Sequence, residues 1–366
     1  MARKLKSDAV LFSTTLLLLV ISMAWVYSAS VVTATEKIHD PAYFVIRQGM
    51  WVALGMVFLF GLMKLDYRIL RNRTALLWVA GVTVFALLAV FFSRPVNNAH
   101  RWLGIGSLGI QPSEFAKLVA ILFVATVLER RMEDHESLDP GLIQAGILLV
   151  VLAALIIFEP DYGGAVVLLA AAGVMVFVAG LSYRRVLTVL LVLPWPLVAI
   201  MLLSAYRRQR WLAFLNPYAD PLGKGFQPIQ ALIAVGTGGV WGKGFMAGVQ
   251  KMFYLPEPHS DYIFAVIAEE RGLIGAVVVL LCFAIIIWRG IRVAHRAPDA
   301  FGALLAIGIT TMIGLQAMVN LGVVLSLLPS KGIALPFVSA GGSSMLVSLM
   351  AMGVLLNISQ QASATE

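Results

Sequence analysis

Leu255-Pro256-Glu257-Pro258-His259-Ser260-Asp261-Tyr262-Ile263-Phe264 runs directly into an apolar stretch that continues to about residue 288. A bilayer core is crossed by about 20 helical residues, so this run predicts a transmembrane helix with an ionisable cluster at its mouth. A carboxylate held near hydrocarbon costs roughly 2.5–3.5 kcal/mol on insertion scales, which makes Asp261 a candidate for function.

Working outward, comparable apolar runs lie at 9–29, 45–63, 75–93, 113–129, 141–158, 163–181, 186–204, 300–325 and 334–357. Sixty per cent of the 366 residues (60%) are hydrophobic and only 13% are charged. The mean hydropathy of +0.91 is more than a water-soluble domain can hide. The expected fold is an all-α polytopic membrane protein of about ten transmembrane helices, with a large extracytoplasmic loop between helices 7 and 8. No linker divides the chain: residues 1–366 read as one membrane domain, and 206–258 as its outer loop carrying short amphipathic helices.

Lys and Arg set the orientation, because short cytoplasmic loops carry their excess. Arg3, Lys4 and Lys6; Lys64, Arg68, Arg71 and Arg73; Arg130 and Arg131; Arg184 and Arg185; and Arg289, Arg292 and Arg296 all fall on one side. Both termini are therefore expected in the cytoplasm of a plasma (inner) membrane protein, with 206–258 outside. Arg3, Lys4 and Lys6 ahead of an apolar run, followed by Ser28-Ala29-Ser30, imitate a cleavable signal, but the run is long for a signal core and is read as a retained span.

Some function classes drop out by composition. The single cysteine, Cys282, permits no intrachain disulfide and no thiolate metal cluster. The net charge of +8 is scattered over juxtamembrane loops without a basic run, so anionic lipid headgroups explain it and nucleic acid is not an expected partner.

The outer loop contains Tyr206-Arg207-Arg208-Gln209-Arg210-Trp211, Asn216-Pro217-Tyr218-Ala219-Asp220-Pro221, Gly223-Lys224-Gly225-Phe226-Gln227 and a series of glycines from Gly236 to Gly244. Its aromatics argue for order, either as a lid packed on the bundle or as a substrate contact. Inside the spans, Glu114 and Lys117 stand three apart on one helical face. They either neutralise each other as a buried pair or face a polar cavity, Lys117 meeting an anionic group. Asp161, with Glu159, Pro160 and Gly163-Gly164, marks a break between two spans and is either a site residue or an N-cap. Leu335-Pro336-Phe337-Val338-Ser339-Ala340-Gly341-Gly342-Ser343-Ser344 interrupts the last apolar run with small and hydroxyl residues. That interruption predicts either a broken helix whose freed amides line a cavity or close small-residue packing.

Several motifs in order carry a resemblance over nearly the whole chain. They are Arg101-Trp102 followed by Ile110-Gln111-Pro112-Ser113-Glu114-Phe115-Ala116-Lys117; Glu159-Pro160-Asp161-Tyr162-Gly163; Asn216-Pro217 with Gly225-Phe226-Gln227 and Gln230; Leu255-Pro256-Glu257 through Asp261; Ala268-Glu269-Glu270; and Lys331-Gly332-Ile333-Ala334-Leu335-Pro336 with Ser339, Gly341-Gly342, Ser343 and Ser344. The chain resembles the SEDS family (shape, elongation, division and sporulation), and its division branch more than its elongation branch. That resemblance implies a peptidoglycan glycosyltransferase that polymerises lipid II, an undecaprenyl-diphosphate disaccharide-peptide, on the outer face of the plasma membrane during cell division. It also implies a class B penicillin-binding protein transpeptidase and other divisome membrane proteins as partners. Beside Asp261, it marks Arg101, Glu114, Lys117, Asp161, Arg210, Gln230, Lys331, Ser339 and Ser343 as substrate-binding positions. The chain departs from relatives at Gly109, where some carry arginine, and at Gly164, Ser260 and Ala340.

The chemistry is consistent with that inventory. Joining a sugar hydroxyl to a sugar diphosphate needs a base for the hydroxyl and positive charge for the leaving diphosphate. A second carboxylic acid is unnecessary, because diphosphate leaves unprotonated. Asp261 is the expected general base for the acceptor GlcNAc 4-hydroxyl in an inverting transfer, and His259 is the alternative base. Arg101, Arg207, Arg208, Arg210, Lys224, Lys243 and Lys331 are expected on the same side, with Lys117 in reach. A divalent cation, magnesium or manganese, is chemically compatible with carboxylates and diphosphate, yet no ligand spacing demonstrates a metal site and the sequence identifies no certain cofactor. Two other classes fit less of the sequence: a lipid II transporter (flippase), for which no inverted repeat is visible, and a noncatalytic divisome scaffold, in which Asp261 would be replaceable.

Overall fold

Several helix starts in this chain are set by short acidic and amide side chains that accept from freed backbone amides. Asp8 caps α1 (Ala9–Ile38) by accepting from Leu11 N, and Asn72 caps α3 (Arg73–Val90) through Ala75 N. The computed structural model describes residues 7–93, 100–105, 108–134, 140–180, 214–223, 225–329 and 332–362. Its other helices are α2 (Tyr43–Lys64), α4 (Pro112–Asp134), α5 (Pro140–Phe158), α6 (Tyr162–Val178), α7 (Phe226–Thr237), α8 (Ile263–Arg296), α9 (Ala300–Val324) and α10 (Gly342–Ala362). A short antiparallel hairpin, β1 (Leu103–Ile105) and β2 (Leu108–Ile110), pairs Leu103 with Ile110 ahead of α4.

The fold is all-α and polytopic. Seven of the described helices are long and apolar enough to cross a membrane. α4 and the shorter α6 pack with them. α9 and α10 are the most enclosed, whereas α2, α3 and α5 turn Val57, Trp78, Phe85 and Ile143 outward as a lipid-facing surface. α10 lies along α2, where Gly55 meets Leu349 and Gly353 leaves room for the Leu59 backbone. Small residues allow this close approach, the usual means of helix association in lipid.

Both ends of the described chain lie at one end of the bundle. Asp8 N donates to Ser359 Oγ at 3.1 Å and the Asp8 carboxylate accepts from Arg289 Nε at 2.7 Å. The same end holds Tyr67, whose hydroxyl donates to Asp299 at 2.6 Å, and Arg71, which pairs with buried Glu129 at 2.8 Å. The motif-rich segments lie at the opposite end.

α8 is not one continuous rod. Gly272 adopts φ +63, and the amides and carbonyls freed there are taken up by the chain preceding the helix. Leu273 N donates to Gly239 O at 2.8 Å and Ile274 N to Val240 O at 3.3 Å, while Lys243 N and Gly244 N donate to Glu269 O and Glu270 O, each at 3.0 Å. Two consecutive buried carboxylates fasten the same segment. Glu269 accepts from Lys243 Nζ (2.7 Å), Val249 N (2.9 Å) and Gln250 N (3.1 Å). Glu270 accepts from Lys251 Nζ and Ser28 Oγ, both at 2.6 Å.

Several expectations on extent need correction. α1 continues to Ile38 rather than ending near 29, and α8 continues to Arg296 rather than 288. The last helix begins at Gly342 instead of 334, so the small-residue stretch precedes it as a turn instead of breaking it from within. Pro336 and the left-handed Phe337 (φ +62) explain this, since neither suits a helix interior. The hairpin was not foreseen. The predicted span 186–204 and residues 206–213 and 224 of the loop lie outside the described residues; α7 gives the described part of that loop a helix.

Gly272 supplies a direct test of the break. A Cβ there would stand 2.5 Å from both Val240 O and Gly242 N. Gly272→Ala is expected to destabilise the protein by at least about 1–2 kcal/mol, the cost of a left-handed non-glycine residue, read as a lower unfolding midpoint in detergent. Gly146→Ala, whose Cβ meets nothing within 4 Å, is the control and should leave the midpoint unchanged.

Candidate active site

Three loops and the starts of three helices converge at the motif-rich end. Asp261 lies two residues before α8, partly exposed, on a turn that Asn320 holds from below. Asn320 Nδ2 donates to Asp261 O at 2.9 Å and to Ile333 O at 2.7 Å. One amide side chain thus locks the Asp261 turn to the segment ahead of α10. Gly332 sits against the Asp261 carboxylate: a Cβ at 332 would lie 2.6 Å from Oδ2. Only a glycine leaves room for the carboxylate at that position.

Ser339 ties the same two segments together, its Oγ accepting from Leu335 N at 2.8 Å and donating to Ser260 O at 2.5 Å. Ala340 N adds a bond to His259 O at 2.9 Å. His259 itself is buried, its ring 4.4 Å from that of Phe44. Burial pulls the imidazole below the ordinary histidine range, partly opposed by Glu257. Its Nδ1 has no partner among the described residues. The ring is therefore a packed neutral group rather than an exposed loop side chain.

Glu114 and Lys117 form the buried pair that their spacing allowed, 2.9 Å apart on α4. Lys117 Nζ also donates to Gln316 Oε1 at 2.8 Å, and Gln316 Nε2 continues to Ala334 O and Ser344 Oγ, both at 3.2 Å. Ser343 Oγ accepts from Gln111 N at 2.8 Å, joining the hairpin exit to the first turn of α10. A polar floor runs from α4 through α9 to α10. Gln316 and Asn320 were missed in the sequence; amides four apart inside an apolar run were the available signal.

Asp161 takes the capping role, Oδ1 accepting from Gly164 N at 3.0 Å to start α6. Gly163 packs on Ile333, so this cap borders the segment that also touches Asp261. Arg101 clamps the adjoining turn by donating from Nε to Glu159 O (2.9 Å) and from NH2 to Pro160 O (2.6 Å). Gly109 packs on the Trp102 ring, a Cβ there falling 3.2 Å from Cε3, so an arginine could enter only if the indole moved.

The expected free cations are not free where they are described. Arg101 is spent on backbone carbonyls, Lys117 on Glu114 and Gln316, and Lys243 on Glu269. Arg207, Arg208, Arg210, Lys224 and Lys331 lie outside the described residues. Gln230 sits on α7, which packs against α8 and α9, and no hydrogen bond joins it to this cluster among the described residues. No three His, Cys, Asp or Glu side chains converge as a cation site among the described residues.

Comparison with known proteins places the chain in a family. Residues 8–364 match the family model of FtsW, RodA and SpoVE, described as cell cycle proteins. The chain is 43% identical over 361 residues to stage V sporulation protein E of Bacillus subtilis, covering 98% of each. It is 41% identical over 362 residues to a probable peptidoglycan glycosyltransferase FtsW of Geobacter metallireducens, covering 98% of this chain and 96% of that one. Among solved structures it resembles a chain of a peptidoglycan synthase complex (TM-score 0.78, 30% identity, 98% and 99% of the two chains). It also resembles the Thermus thermophilus rod shape determining protein RodA (TM-score 0.71, 28% identity, 98% of each chain).

Glu159, in the turn after α5, was not singled out as a site residue. It is fully buried with both carboxylate oxygens unpartnered among the described residues. Burial, reinforced by Asp161 and opposed by Arg101, pushes its carboxyl up to about 8 from an ordinary 4.5. A folded-state pKa above the unfolded one means that the folded form binds this proton more tightly. Its contribution to stability is full below 4.5 and is lost as pH rises through 8. Thermal unfolding against pH should show that decline in the wild type; Glu159→Gln should flatten it and raise the midpoint above pH 8.

Proposed function

The chain belongs to the FtsW, RodA and SpoVE family of cell cycle proteins, and from that membership we propose that it is a peptidoglycan glycosyltransferase that polymerises lipid II during cell division. The observation that carries this reading is the Asp261 carboxylate, partly exposed, on a turn fixed by Asn320 and given room by Gly332. A general base has to reach its proton without first rearranging its own backbone. The bonds of Asn320 and Ser339 to the backbone on either side of Asp261 meet that demand.

In the proposed step the acceptor GlcNAc 4-hydroxyl oxygen attacks the anomeric carbon of the donor. The bond from that carbon to the diphosphate oxygen breaks, and its electron pair leaves with the diphosphate. The hydroxyl proton goes to Asp261, and the configuration inverts. Burial of the Glu114–Lys117 pair beneath the site favours a supporting role, Lys117 holding the α4–α9–α10 floor in place under the reacting sugars. Arg210 and Lys331 are the proposed cations for the leaving diphosphate. Asp161 and Arg101 shape the wall against Ile333, and Gln230, Ser339 and Ser343 complete the substrate contacts. A divalent cation, if used, would be coordinated largely by diphosphate oxygens and Asp261.

We place the site end outside the cell and both termini in the cytoplasm. The cluster of Arg68, Arg71, Arg73, Arg130 and Arg289 at the terminal end supports this orientation. The likeness to a chain of a peptidoglycan synthase complex supports a class B penicillin-binding protein as partner, with other divisome membrane proteins assembled around the pair.

The purified chain, reconstituted with a class B partner whose transpeptidase is inactive, should convert lipid II to glycan strands. Asp261→Ala and Asp261→Asn should lower the rate by roughly 10²–10⁴-fold, the contribution of a positioned base, with unchanged unfolding midpoints. Normal polymerisation by either folded variant removes Asp261 as the base. An inactive wild type with flux of lipid II across the vesicle points to transport instead.

A further inference from the structure

At the end of the bundle opposite the proposed site, α3, α4 and α5 enclose a cavity of about 190 Å³. Leu76, Phe123 and Val127 form its apolar part, and Arg73, Arg130 and Gln144 its polar part. We propose that this cavity binds the phosphate headgroup of an anionic phospholipid from the surrounding leaflet.

Charge is the first ground. Three other arginines at this end are matched: Arg71 by Glu129 at 2.8 Å, Arg68 by Asp299 at 2.9 Å and Arg289 by Asp8. Arg73 has only the neutral amide oxygen of Gln144, at 2.8 Å, and Arg130 makes no ion pair among the described residues. Among the described residues no carboxylate pairs with either of the two guanidinium groups on this small cavity, and their planar forks suit phosphate oxygens. The α3 and α5 helices begin here and α4 ends here, so the helix dipoles partly cancel and the two arginines carry the positive charge of the cavity.

Position is the second ground. Arg73 is the first residue of α3 and Arg130 lies in the last turns of α4, which puts both at the headgroup level of helices that span the bilayer. Below the guanidiniums the lining becomes apolar. The adjoining faces of α3 and α5 expose Leu77, Trp78, Ile143 and Ile147, a surface on which acyl chains can lie. A water-soluble anion would use the arginines and leave that surface unused. A lipid uses both, and basic pockets between spanning helices at a cytoplasmic surface are suited to such headgroups.

The inference is independent of the glycosyltransferase reading, and its test reads binding alone. Full-chain protein in zwitterionic detergent is titrated with phosphatidylglycerol or phosphatidylcholine, then followed by native mass spectrometry and thermal unfolding. Wild type should retain phosphatidylglycerol in preference to phosphatidylcholine and unfold at a higher temperature with it. Arg73→Gln/Arg130→Gln should lose the preference by about tenfold or more, a loss on the scale of one good ionic contact. Arg292→Gln, an exposed arginine away from the cavity, should retain it. Equal retention by the double variant and the Arg292→Gln control overturns the proposal. So does an equal rise in midpoint with soluble glycerophosphoglycerol, which would make the cavity a free-anion site.

Discussion

A helix that breaks at a membrane surface must find partners for every amide and carbonyl it frees, because hydrocarbon offers none. The break at Gly272 in α8 is the place where this chain meets that demand, and the proposed site depends on how it does so. The freed groups bond to residues 239–244, which places the loop backbone alongside the helix. Glu269 and Glu270 then fix residues 243–251 through charge-assisted bonds deep in the protein. Only ten residues separate Lys251 from Asp261, so the geometry of the carboxylate is set from both sides: by the fastened loop before it and by the helix after it.

The second constraint is polarity inside an apolar bundle. Lys117, Glu114, Gln316 and Ser344 satisfy one another across three helices, and Asn320 satisfies two backbone carbonyls from two loops. A buried network of this kind is stable only when its members keep their partners; removing one side of a buried ion pair typically costs about 3–5 kcal/mol. The floor of the site is consequently rigid, while the Asp261 carboxylate above it is partly open. Rigid support below and access above suit a reaction that has to hold two sugars in register.

Long apolar runs and loop cations were legible in the sequence because hydropathy is additive over about 20 residues and tolerates local detail. Asp261, Glu114 with Lys117, and the Ser339 to Ser343 stretch were legible because polar residues near hydrocarbon are costly and stand out. The Gly272 break was not. A glycine within an apolar helix reads as a packing residue, and its left-handed conformation depends on Gly239 to Gly244, which arrive from far along the chain. Gln316 and Asn320 were hidden by their neutrality, and the engagement of Arg101 and Lys243 by partners that only the fold brings near. Sequence counts charges; it does not reveal which are already matched.

The near-complete enclosure of α10 bears on how the protein is made. Ribosomal synthesis delivers α10 after the other nine described helices, yet its main contact is α2, which is made among the first. Until α10 arrives, Gly55 and Leu59 on α2 lack the residues that later fill the space beside them, Leu349 and Gly353. The α2 face therefore acquires its partner only after α10 has been made, and the bundle closes on that side late in biogenesis. A ribosome stalled short of residue 342 would leave a protein whose spans are inserted and whose centre is missing.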